Sequence, residues 1–386
     1  MHVIADTSLW STAAIWMLLA ALSALVGIRL KIAAALVEIV VGVVAGNFLG
    51  LHANAWIDFL AGFGSILLTF LAGAEIDPRA LRAQLAPAIT LGAISFGLPF
   101  VVAGMFALYV AHWSLEAAKI AGVAMSTTSV AVVYAVMIES GLATRPLGQL
   151  IFAVCFFTGL GTVVALSVLF ASANLWLAAL VAAIAVSTLL VPKLLPAVLE
   201  RTGKYVSEPG LRLLFALIFV LSALAAYAKS ESVLPAYFLG LACANAMIAQ
   251  PNVKRQLQTI TMTLLTPFYF IKVGSYVSLR DAWAGIGLIG LFFCVKIAAK
   301  VLGVLPAARF FRYSPRDSSY LTLLMATGLT FGSIASLYGY THHDVNRAQY
   351  TVLVTVVILT AVIPTLVAQA LFRPAEEPEE MESEVP

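Results

Sequence analysis

Ser126-Thr127-Thr128-Ser129, Thr158-Gly159, the pair Lys296 and Lys300, and the run from Thr327 through Thr330 to Ser333 are the stretches of this sequence whose residue types suit the binding of a small charged solute. Each falls near the middle of a long apolar run. Lys296 and Lys300 are spaced i, i+4 and share one face of a helix. A charged residue near the centre of a membrane-crossing helix costs about 2.5 to 3.5 kcal/mol on insertion scales, so each lysine needs a reason. Clustered hydroxyls weaken a helix and can satisfy the backbone groups freed where it breaks. Two helices interrupted at one depth would aim their half-helix dipoles at a bound ion, and the four stretches are read as the walls of one site. The competing reading is close packing, because small and hydroxyl residues are ordinary at helix interfaces in membranes. Gly42, Gly46 and Gly50 have the spacing of such a seam. For Lys296 the competing reading is snorkelling, or a bond to a neighbouring carbonyl.

The elements that must hold these residues follow from composition. Of 386 residues, 62% are hydrophobic and 11% charged, far beyond what a soluble core requires. The apolar runs are about 20 residues long and continuous, which excludes the ten-residue alternation of a membrane β-barrel. The expected fold is therefore an all-α polytopic membrane protein of thirteen spans, at 9–28, 32–50, 56–75, 86–111, 115–138, 147–171, 174–199, 211–228, 232–249, 257–277, 282–306, 318–339 and 348–372. An odd number allows two inverted six-helix halves joined by the seventh span, with the fifth and twelfth spans as broken, crossing helices.

Fifteen of the 22 basic residues fall on one side of this arrangement, and five (Lys119, Lys229, Lys272, Arg280 and Arg347) on the other. Positive charge favours the cytoplasm, so the N-terminus is expected outside and the C-terminus inside. The acidic segment 374–386 reads as a disordered cytoplasmic tail. Cys155, Cys243 and Cys294 sit within apolar runs and suggest neither disulfide nor zinc. His342-His343-Asp344 reads as a solvated turn rather than a metal site. No cofactor, nucleophile triad or phosphate loop points to an enzyme, and nothing points to nucleic acid. The lipid bilayer is the expected surroundings.

Several strings resemble the monovalent cation:proton antiporter superfamily, the sodium or potassium/proton exchangers. They are Val37-Glu38-Ile39-Val40-Val41-Gly42, Phe70-Leu71-Ala72-Gly73-Ala74-Glu75-Ile76-Asp77, Ser126-Thr127-Thr128-Ser129-Val130-Ala131, Pro267-Phe268-Tyr269-Phe270, Lys300-Val301-Leu302-Gly303 and Thr327-Gly328-Leu329-Thr330-Phe331-Gly332. The resemblance implies a transporting core (86–171 and 282–372), a dimer-forming panel (9–75 and 174–277), a homodimer in the plasma (inner) membrane, and an elevator-like motion exchanging a monovalent cation for protons. It also implies that Lys300 is the core lysine, which in exchangers with two acids pairs with the first acid of a sixth-span dipeptide.

The sequence departs from that family at the dipeptide, where Thr158-Gly159 stands in place of a pair ending in aspartate. A competitive exchanger needs a group that holds either a proton or a cation, and a desolvated carboxylate suits that role whereas glycine has no titratable atom. Among the other acids, Glu75 and Glu139 close their helices and are expected in cytoplasmic water near Arg79 or Arg145, leaving Glu38 as the one membrane-embedded spare. Three readings stand side by side: an exchanger with impaired or altered coupling, a lysine-dependent transporter of an anion or other solute, and a membrane protein that does not transport.

Overall fold

The computed structural model describes residues 2–30, 33–51, 53–76, 78–170, 175–202, 208–228, 230 and 232–374. Lys31, Asp77, Lys204, Lys229 and the acidic tail lie outside the described residues. The described chain is all helix and connection: α1 (His2–Leu30), α2 (Ala34–Phe48), α3 (Ala55–Glu75), α4 (Leu85–Met105), α5 (Leu115–Ser126), α6 (Val130–Glu139), α7 (Pro146–Phe170), α8 (Leu175–Thr202), α9 (Pro209–Tyr227), α10 (Val233–Ala249), α11 (Pro251–Ile260), α12 (Thr266–Ser275), α13 (Ile286–Phe310), α14 (Pro315–Met325), α15 (Thr330–Thr341) and α16 (Arg347–Leu371). Wide five-residue turns at Phe106–Val110 and Thr261–Leu265 extend α4 and link α11 to α12. Among the described residues, eight stretches are long and apolar enough to cross a bilayer, including Leu115–Glu139, Ile286–Phe310 and Arg347–Leu371. The shorter Ala34–Phe48, Pro146–Thr162 and Val233–Ala249 are also apolar.

Burial sorts these helices. The middle of the Leu115–Glu139 stretch is buried throughout, whereas α1 and α8 expose most of their apolar surface, including Leu18, Leu175 and Leu189. Side chains that would be unstable in water are at home against lipid, so the outer helices need no polar face. Inside, α4 packs on α5, α7 and α13, and α15 lies between α5 and α16. A second group joins α3 to α10 and α2 to α12.

Both of those seams are built on glycine. A Cβ on Gly240 would overlap the Phe70 carbonyl, and one on Gly274 would overlap the Ile39 carbonyl, so the backbones touch directly. Gly42 and Gly46 face α12 as the small-residue seam predicts. Gly50 does not belong to it: it lies beyond the end of α2 at φ +61°, with open space around it, and serves a turn that only glycine adopts easily.

Candidate functional site

Residues 115–139 and 315–341 both stop being helical halfway. In the first stretch Thr127 is extended (φ −65°, ψ 153°) and Ser129 follows at φ −89°, ψ 106° before α6 begins. In the second, α14 ends at Met325 and α15 begins at Thr330. The hydroxyls close the carbonyls that each broken helix end exposes. Ser126 Oγ donates to Val123 O at 2.8 Å, Thr127 Oγ1 to Ala124 O at 3.1 Å and Thr327 Oγ1 to Leu324 O at 2.7 Å. Two further bonds tie the breaks together: Ser129 N donates to Thr327 O at 2.9 Å and Thr128 Oγ1 to Met325 O at 2.7 Å. The two interrupted helices thus cross where their backbones hydrogen-bond. Ser129 also accepts from Val132 N at 3.4 Å and so caps the start of α6.

Lys300 reaches this crossing from α13. It is fully buried, and its ammonium donates to Ser95 Oγ at 2.9 Å, Ser126 O at 3.0 Å and Thr128 Oγ1 at 3.1 Å. Three acceptors match its three protons. Thr158 is not among them: its hydroxyl donates to Val154 O in its own helix at 2.8 Å, with Gly92 O at 3.5 Å. The lysine is therefore answered by hydroxyls and a carbonyl released by the helix break, in place of the acid implied at position 158. Ser95 escapes a reading of the sequence because a lone serine in an apolar helix usually bonds back to its own turn.

Lys296, one turn earlier, is equally buried, and among the described residues its Nζ has no hydrogen-bond partner. It sits against Gly328, where a Cβ would overlap Nζ and lie 2.8 Å from Thr127 Oγ1. Glycine at 328 is thus what lets the ammonium enter the crossing. Gly159 is buried too, yet a Cβ added there would find Phe331 Cε2 at 3.8 Å and nothing nearer. Among the described residues, a Cβ at position 159 meets no close contact. Thr330 opens α15, and its side chain is outside the described residues.

Among the described residues no carboxylate pairs with either lysine. Glu75 is not in open water as its position at a helix end suggests, whereas Glu139 is exposed. Glu75 is buried and bound to Lys254 Nζ at 2.7 Å and Gln258 Nε2 at 3.1 Å, while its backbone carbonyl accepts from Gln149 at 2.7 Å. Gln258 also donates to the Tyr134 hydroxyl at 3.1 Å. Glu139 is exposed but accepts from Ala34 N at 2.8 Å, covering an orphan donor at the start of α2. Glu38 is buried in α2. No group of three or more metal-ligating side chains occurs among the described residues, His342-His343-Asp344 included.

A cavity of about 360 Å³ lies between the two helix groups. Ser65, Tyr269 and Lys272 line one wall, and Leu329, Ser333 and Val354 the other, so its inner end reaches the start of α15. Its outer end carries Lys272, held by Asp58 at 2.7 Å.

Residues 16–373 match the family described as "Sodium/hydrogen exchanger, transmembrane". The chain is similar to YjbQ of Bacillus subtilis (strain 168), 23% identical over 379 residues that cover 91% of this chain and 61% of that protein. "Probable Na(+)/H(+) antiporter 3" of Methanocaldococcus jannaschii is 22% identical over 333 residues, 83% of this chain and 85% of that protein. "Cation/H(+) antiporter 18" of Arabidopsis thaliana is 22% identical over 342 residues, 83% of this chain and 42% of that protein. The chain thus spans 61% and 42% of the lengths of the first and third of these relatives. In fold it resembles the sodium proton antiporter MjNhaP1 from Methanocaldococcus jannaschii at pH 8, with a TM-score of 0.69 and 17% identity, covering 97% of this chain and 100% of that one.

Proposed function

This chain belongs to the sodium/hydrogen exchanger family, and on that premise we propose that it is a secondary transporter of the monovalent cation (sodium or potassium)/proton antiporter type whose coupling is impaired or altered by the absence of an acid at Gly159. The observation that carries this is the crossing itself: two interrupted helices meet over a buried lysine, while position 159, which faces Phe331 of α15, has no side chain. An exchanger of this kind alternates proton and cation on one buried carboxylate. Here Ser126, Thr127, Thr128, Ser129, Thr158, Thr327 and Thr330 supply neutral oxygens only, and Lys296 and Lys300 supply positive charge. A cation entering such a site meets repulsion with no compensating anion.

The proposed motion carries the core of 86–171 and 282–372 against a panel of 9–75 and 174–277. Two features support it. The α3–α10 and α2–α12 seams exchange places if each span corresponds to the one seven later, as inverted repeats require. The cavity opens between panel and core on the side of Lys272, and on the opposite side Glu75, Lys254 and Gln258 of the panel bind Tyr134 and Gln149 of the core. With the fifteen-to-five asymmetry of basic residues placing Lys254 inside and Lys272 outside, this is an outward-open arrangement. The N-terminus is then external, the C-terminus cytoplasmic, and the protein a homodimer in the plasma (inner) membrane.

Reconstituted vesicles with an internal pH-sensitive dye test the reading. Sodium or potassium gradients are expected to move few protons through the natural chain and many more through Gly159→Asp. A variant that folds, inserts and gains no exchange contradicts it.

A further inference from the structure

If the site is that of an exchanger without its acid, one charge in it is left unanswered, and the inference drawn from this rests on that reading. Lys300 spends its protons on Ser95, Ser126 and Thr128. Lys296 has no hydrogen-bond partner among the described residues, is fully buried, and is aimed into the crossing at Gly328 and Thr127. An ammonium withdrawn from water without an acceptor loses several kcal/mol of hydration, and a counter-charge at hydrogen-bond distance recovers part of it.

The surroundings favour a negative ligand. The carbonyl ends of α5 and α14 are closed by Ser126, Thr127, Thr327 and Thr128, which removes the groups that would hold a cation. The positive end of α6 is capped by Ser129, but that of α15 is not: Leu329, which precedes it, offers no side-chain cap. Lys296 borders that start at Gly328, and Gly159 faces Phe331, whose Cε2 is the one described atom within 4 Å of an added Cβ, at 3.8 Å.

We propose that the crossing binds a small monovalent anion of carboxylate size, held by Lys296 Nζ and the amides that open α15, in the room left by Gly159. Such an anion would be a diffusible substitute for the absent side chain. A carboxylate supplied at position 159 would take its place.

The test is the thermal unfolding of the full-length protein in detergent and chloride-free buffer, titrated with sodium formate against sodium gluconate at constant sodium and ionic strength. A ligand that binds only the folded state raises the midpoint saturably, by about 3 °C or more at a hundred times its dissociation constant. The rise is expected in the natural chain and absent in Lys296→Met, which removes the ammonium and still fills its space. Gly159→Asp is expected to unfold at a higher midpoint without formate and to ignore formate. No saturable rise in the natural chain, or a rise undiminished in Lys296→Met, overturns the proposal. No cation gradient enters this measurement, so formate binding can fail while Gly159→Asp gains exchange, and the reverse, and each failure is read separately.

Discussion

Two ammonium groups one helical turn apart are solvated in different ways inside this protein. Lys300 is fully hydrogen-bonded by neutral groups, and Thr128 relays that contact onward to Met325 O. Thr128→Val keeps the shape but removes both bonds, leaving a buried carbonyl and an ammonium short of a partner. A loss of about 1–3 kcal/mol is expected, read as a lowered unfolding midpoint, with Thr128→Ser close to the natural chain. Gly328→Ala places a methyl group against Lys296 Nζ and Thr127, and overpacking of about 1–3 kcal/mol is expected by the same readout. If Gly328→Ala is neutral, Lys296 does not occupy the crossing. The lysines and hydroxyls were legible in the sequence because each breaks an apolar run at mid-depth. Ser95, and the partnership of Glu75 with Lys254, were not, since they depend on which helix faces lie opposite across 205 and 179 residues of chain.

At the scale of the helices, the breaks at 127–129 and 326–329 follow from local chemistry, and their crossing from tertiary pairing. Hydroxyls that cap α5 and α14 from within make interruption cheap, but only the bonds between Ser129 and Thr327 and between Thr128 and Met325 fix where the two meet. That much was foreseeable from paired clusters at one depth. Helix ends were less so: the tenth span, expected from 257, starts as α11 at Pro251 and passes through the wide turn Thr261–Leu265 before α12. The glycine seams carry a prediction of their own. Gly240→Ala and Gly274→Ala each force apart backbones in direct contact, so each is expected to lower the unfolding midpoint by about 3 °C or more. Gly50→Ala meets open space at positive φ and is expected to cost only the strain of that turn, about 1 kcal/mol.

For the molecule as a whole, the balance between the two sides of the membrane rests on few contacts. The Glu75, Lys254, Gln258 and Tyr134 network joins the two helix groups at one place, and a cavity lies between them at another. Lys254→Met leaves Glu75 charged and buried without its cation, a loss of about 3–5 kcal/mol for a fully buried pair and less here because Lys254 is partly exposed. Faster hydrogen exchange in α11 and α6, with little change in α1 and α2, is the expected result. Equal protection in Lys254→Met and the natural chain would mean that the network does not hold the two groups together. Fold class and orientation could be proposed from apolar runs and basic residues, because the bilayer constrains every span alike. Which face is open could not, because it depends on how two rigid groups are set against each other.

As proposed, this exchanger fold carries a positive site that has, among the described residues, no carboxylate to hold a cation. Equilibrium binding of radiolabelled sodium, and of rubidium as a potassium substitute, to purified natural chain and Gly159→Asp tests it most directly. No saturable binding is expected in the natural chain, and binding displaced by protons is expected in Gly159→Asp. Saturable, proton-displaced cation binding to the natural chain would contradict the account.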